Sequence, residues 1–158
     1  MTSARPPLLR LIYASRVAPR GAGDVDRVLE TILTDAVPLN RKRGVTGLLI
    51  THAGWFVQGL EGAPEAVRTT YAAIAKDSRH HGAVVRLEAP AAERLFPRWS
   101  LCARALSAAD AALVHDLAAG AAFDPAVAPP PTLARLLSII SKAHDHHFDA
   151  QQRMIVRR

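Results

Sequence analysis

The sequence predicts an α+β fold built around one sheet, and three observations carry the prediction. Five short apolar stretches read as strands, and residues 55–60 alternate with the period of two that a strand imposes. Two stretches with apolar residues at helical spacing separate the first strand from the second and the third from the fourth. The order is therefore β-α-β-β-α-β-β, the ferredoxin-like pattern with one strand added. Two helices then lie on one face of the sheet, and the C-terminal helices are expected on the other.

Residues 8–15 form the first strand, with Leu9, Leu11 and Tyr13 on one face. A glycine-containing loop follows, and Asp24 is placed to cap the first helix. Val25, Val28, Leu29, Ile32, Leu33 and Ala36 make its apolar stripe. Pro38 is expected to end or kink it, because proline lacks the N–H and disfavours helix at Val37. Residues 44–51 and 55–60 form a hairpin across Ala53-Gly54. Phe56, Gln58 and Leu60 share one face of its second strand, and Trp55, Val57 and Gly59 the other. Pro64 suits the first turn of a helix carrying Val67, Tyr71 and Ile74. Residues 83–88 and 99–103 read as the fourth and fifth strands, with His80-His81 in a loop. Ser107 and Asp110 make a capping box before Leu113, Val114 and Leu117, and Gly120 stops that helix. Residues 125–131 read as a Pro/Ala linker. Thr132 then caps a helix bearing Leu133, Leu136, Leu137, Ile140 and Ala143.

Composition narrows the function. The 158 residues are 49% apolar, enough for one core with an appendage. No run is long enough to cross a membrane, and no apolar leader opens the chain, so no membrane partner is expected. The single Cys102 fits a reducing cytoplasm. The net charge of +6 permits an acidic partner, but the arginines are scattered and only Arg41-Lys42-Arg43 clusters. A nucleic-acid-binding module on such a sheet is one alternative. It lacks the interleaved aromatics of an RNA-binding sheet. Enzyme templates fit poorly: there is no G-x-S-x-G, no phosphate-cradling glycine loop and no zinc spacing. Val57-Gln-Gly59 is similar to the start of an acylphosphatase signature. Leu60-Glu-Gly-Ala63 follows where that chemistry needs an arginine. His144-Asp-His-His147 reads as a polar helix end, and no metal is expected.

Gln58 stands out, as an amide among apolar neighbours must find partners for both its ends. Tyr13 is the polar member of the first strand's apolar face. If these strands are neighbours, phenol and amide meet. Five motifs occur in order around the pair: Leu11-Ile-Tyr-Ala-Ser15, Asn40 before Gly44-Val-Thr-Gly47, Phe56-Val-Gln-Gly-Leu-Glu-Gly62, Asp77-Ser-Arg-His80 and Phe96-Pro-Arg-Trp-Ser100. Together, over about residues 8–105, they resemble the BLUF family of FAD-binding blue-light sensors.

The resemblance implies a flavin (FAD, with FMN or riboflavin as alternatives) whose ring lies between the first two helices. It implies that Gln58 bridges Tyr13 to the flavin, Asn40 holds its polar edge, and Ile32 and Ala36 line it. Asp77, Arg79 and His80 would stand near its ribityl and phosphate end. Tyr13 would give an electron and a proton to the light-excited state, Gln58 would relay the proton, and reversal of the amide's hydrogen bonds would shift absorption to the red. Trp99 and Leu101 would couple the fifth strand to Gln58, with Leu101 standing where the family usually has Met. The expected organisation is a flavin-binding domain over residues 1–105 and a helical cap over 106–158. Catalysis would then lie with a separate signalling partner, and the chain is expected to form a homo-oligomer, dimer or larger.

Overall fold

The structure, a computed structural model, describes residues 6–97, 100–118, 120 and 122–155, with side chains left aside at 109 and 144–155. Five strands form one sheet: β1 (Leu8–Val17), β2 (Thr46–His52), β3 (Trp55–Gly62), β4 (His80–Ala91) and β5 (Cys102–Ala105). Their order is β4-β1-β3-β2-β5. All pairs are antiparallel except β2 with β5. Helices α1 (Val25–Arg43) and α2 (Pro64–Ala75) cover one face, and α3 (Ala108–Leu117) and α4 (Pro130–Ile155) cover the other. This is the ferredoxin-like arrangement expected from the sequence.

Alternation along β3 divides the core. Phe56 and Leu60 pack toward α1 and α2 with Leu9, Leu11, Leu29 and Val67. Val57 packs toward the C-terminal helices with Ile12, Leu48, Ile50, Leu133, Leu136, Leu137 and Ile140. Gly59 allows a close approach there: a Cβ on it would stand 2.6 Å from the Phe96 ring and 3.2 Å from Leu137. The β2–β3 turn has positive φ at both Ala53 (50°) and Gly54 (80°), the pattern of a two-residue hairpin whose twist matches its strands.

Several local expectations need correction. Pro38 does not end α1, which runs on to Arg43. An internal proline costs about 3 kcal/mol. The turn beyond it is tied down by left-handed Gly44, by Val45 N–H donating to the Asn40 carbonyl, and by the Asn40 side chain. Strand β4 begins at His80, so His80-His81 is not a loop; cross-strand pairing with Arg16 and Val17 extends it. Strand β5 starts at Cys102 rather than Trp99, and Trp99 itself lies outside the described residues. Helix α4 starts at Pro130, not Thr132, because two prolines fit a first turn whose N–H groups have no helical partner anyway. Asp24, the Ser107–Asp110 box and Pro64 cap and open their helices as expected.

Candidate functional site

A slot opens between α1, α2 and the sheet. Its apolar walls are Ile32 and Ala36 of α1, Ile74 of α2, and Leu49, Phe56 and Leu101 from the sheet side. Tyr13, Asn40, Gln58, Asp77, Arg79 and His80 also line it. The structure thus gathers in one cavity every residue marked from the sequence for ligand contact, together with Leu101.

The floor is set by strand register. β1 and β3 pair so that Tyr13 lies directly opposite Gln58. The Tyr13 hydroxyl donates to Gln58 Oε1. Both residues are buried. Burial raises the Tyr13 pKa far above the ordinary phenol range, with the charges of Tyr71 and Asp77 adding to it. The phenol therefore keeps its proton unless it also loses an electron. Among the described residues the Gln58 NH₂ group has no partner. Asn40 is its counterpart: its Nδ2 donates to the Ser100 carbonyl at 2.8 Å, and its Oδ1 has no partner among the described residues. One buried donor and one buried acceptor are thus left to a ligand, between flat apolar walls.

His80 lines the slot and is held by the protein on both sides. Its ring lies between Ser15 Oγ, 2.6 Å from Nδ1, and the Ile74 carbonyl, 2.5 Å from Nε2. A carbonyl only accepts, so Nε2 carries hydrogen. Both nitrogens are spent on protein, and the His80 ring stands edge-on to Tyr13, with 6.0 Å between ring centroids. Arg79 is similarly engaged, with Nη2 on Asp77 at 2.5 Å and Nη1 on Asp35 at 3.0 Å. Its guanidinium holds the Asp77 carboxyl below the ordinary range despite the opposing effect of burial. Ser15, Asp35, Leu49, Phe56 and Thr70 were not marked from the sequence. Period two places Ser15 on the Tyr13 face, which was the available signal; the Asp35–Arg79 contact spans 44 residues and left none.

The family described as BLUF, sensors of blue-light using FAD, matches residues 8–102. The chain belongs to the BLUF family. A photoactivated adenylate cyclase subunit beta of Euglena gracilis is 37% identical over 95 residues, 60% of this chain and 11% of that protein. The chain thus spans about a tenth of the length of the curated relatives it matches. The structure of BlsA in its photo-activated state superposes with a TM-score of 0.74 at 28% identity, covering 82% of this chain and 91% of the other. The dark-state structure of BlrB, a BLUF protein, gives 0.58 at 29%, covering 63% and 74%. Residues 8–102 are a flavin-binding unit of the blue-light-sensing kind, on the fold its family shares. The slot suits that cofactor: its apolar walls fit a flat ring, and the Gln58 donor and Asn40 acceptor fit a ring edge that carries both acceptors and an N–H. No helix among the described residues is long and apolar enough to cross a membrane. Among them, too, no three metal-binding side chains come together; the side chains of His144, His146 and His147 lie outside the described set.

Proposed function

We propose that this chain is a photoreceptor in which blue light reverses the donor and acceptor ends of Gln58. One observation carries the proposal: the buried Tyr13 hydroxyl donates to Gln58 Oε1 while the amide's other end is left to the slot. Bound flavin supplies the blue absorption and, when excited, the pull on an electron. Tyr13 is the donor. Its proton would leave with the electron, passing to Gln58 Oε1, the base in contact with it, and both would return to Tyr13 as the amide reverses. The amide then presents N–H where it presented oxygen, by rotation or tautomerisation, with no change in the shape of the site. Asn40 holds the ring's polar edge, Ile32 and Ala36 flank its face, and the Asp77–Arg79 pair and the His80 ring frame the slot's other side. FAD is the cofactor we favour, as the family description supports it, over FMN or riboflavin.

The signal is proposed to leave through β5. Asn40 grips Ser100, Leu101 lines the slot, and next to it Cys102 packs on the opposite face of the sheet. Arg104 then ties β5 to Asp110 in the α3 capping box at 2.8 Å. The domain boundary near residue 105 and a helical output region after it follow from this route. Relatives named photoactivated adenylate cyclases support an effector downstream, which we propose here to be a separate cytoplasmic protein, with the photoreceptor a homo-oligomer. The test is optical. Purified protein should be yellow and shift reversibly to the red under blue light. Tyr13→Phe and Gln58→Leu should each keep flavin and lose the shift. A protein that takes up no flavin, or a Gln58→Leu variant with an unchanged photocycle, overturns the proposal.

A further inference from the structure

Four charged side chains line the flavin slot: Asp35, Arg43, Asp77 and Arg79. They are not equivalent. Arg79 directs Nε and Nη2 at Asp77, and Nη1 at Asp35 and Thr31. Two carboxylates around one guanidinium leave that side with a net negative charge, and with Thr31 they take up all but one of the five N–H donors of Arg79. A phosphate approaching there meets repulsion. Arg43 is the opposite case. It stands eight residues beyond Asp35 on α1, roughly 12 Å along the axis. Its one side-chain contact is a long one, Nη1 to Thr70 Oγ1 at 3.4 Å, and no carboxylate among the described residues pairs with it. Exposed Arg41 and Lys42 reinforce its potential.

Arg43 also lines a second cleft, with Pro6, Pro7, Gly44, Glu93 and Arg94. Arg94 is occupied there by Thr46 Oγ1 and the Gly44 and Glu61 carbonyls. Arg43 thus has no carboxylate partner among the described residues and lines both the slot and the second cleft. We infer that Arg43, rather than Arg79, receives the phosphate of the flavin's tail, and so sets the preference for phosphorylated flavins. The inference rests on the flavin reading above and adds which residue selects the tail.

The test compares riboflavin, FMN and FAD binding to flavin-free full-length chain by quenching of flavin fluorescence. Wild type should prefer FMN and FAD to riboflavin, and salt should weaken that preference. Arg43→Gln should weaken FMN and FAD by roughly three- to tenfold and leave riboflavin within about twofold, the scale of a half-exposed charge-assisted contact. Arg43→Lys should keep most of the preference. Asp35→Asn, which frees an arm of Arg79, should raise the preference instead. An unchanged FMN-to-riboflavin ratio in Arg43→Gln, or an equal loss of both, overturns the inference while leaving flavin binding intact. Failure of all three flavins to bind wild type overturns the flavin reading itself, and this inference with it.

Discussion

The two faces of the sheet are built from the same strands and are organised in opposite ways. Toward α3 and α4 the interior is apolar and closed: Phe96, Leu133, Leu136 and Leu137 are fully buried against Ile12, Val57 and Gly59. Its buried carboxylate, Glu61, is satisfied by Arg10 Nε at 2.9 Å and the Phe96 N–H at 2.8 Å. Toward α1 and α2 the interior holds Tyr13, Ser15, Asn40, Gln58 and His80, and is split by a slot. A buried amide end without a partner costs on the order of 1–3 kcal/mol. The closed face therefore supplies stability that the open face gives up, and β3 belongs to both: Gln58 looks one way and Gly59 the other.

The comparison can be broken by mutation. Leu137→Ala on the closed face should cost about 2–5 kcal/mol, read by chemical denaturation, with the flavin spectrum of the folded fraction unchanged. Arg10→Ala leaves Glu61 buried with one N–H and should cost about 3 kcal/mol. Gly59→Ala forces the Phe96 ring aside and should cost about 1–3 kcal/mol. Gln58→Leu, at the neighbouring position, should change the stability of flavin-free protein by about 1 kcal/mol or less, since it removes an unpaired donor as well as the acceptor for Tyr13. If Gln58→Leu destabilises as strongly as Leu137→Ala, the division between the faces is wrong.

Alkaline titration sharpens the same contrast. Burial raises the Cys102 thiol on the closed face from 9.0 to about 11 and raises Tyr13 on the open face above its ordinary 10.0. For groups that are neutral when protonated, a raised folded pKa means the unfolded chain loses its proton first. Stability should fall as pH rises above about 9 for Cys102 and above about 10 for Tyr13. Cys102→Ala and Tyr13→Phe should each flatten one part of that decline. The smallest effect is expected far from both faces: Ala53→Asn, at φ 50°, should add about 0.5–1 kcal/mol by placing a residue that tolerates the left-handed region.

Local chemistry in the sequence carried most of the architecture. The Tyr13 and Gln58 faces, the caps at Asp24 and Ser107, and the hairpin at Ala53-Gly54 depend on residues within a turn or two of one another. Apart from the start of α4, what was misread depends in part on partners far along the chain. Helix α1 survives Pro38 because Gly44 and Ser100 hold its last turn. Strand β4 extends to His80 because β1 lies beside it. Arg79 reads with Asp77, its neighbour in the sequence, but its second carboxylate, Asp35, is brought by α1 from 44 residues away. In the slot, then, residue types were legible and charge balance was not.

Asn40 has a consequence for the protein without light. One amide faces the cavity with its oxygen and grips the Ser100 carbonyl, two residues before β5, with its nitrogen. Whatever satisfies the oxygen also biases the geometry of the nitrogen. Filling the slot is thus felt at the root of β5 in darkness, and by reciprocity whatever holds β5 alters how tightly the slot is filled. A cell short of flavin would hold a third form of the molecule, distinct from both the dark and the lit one.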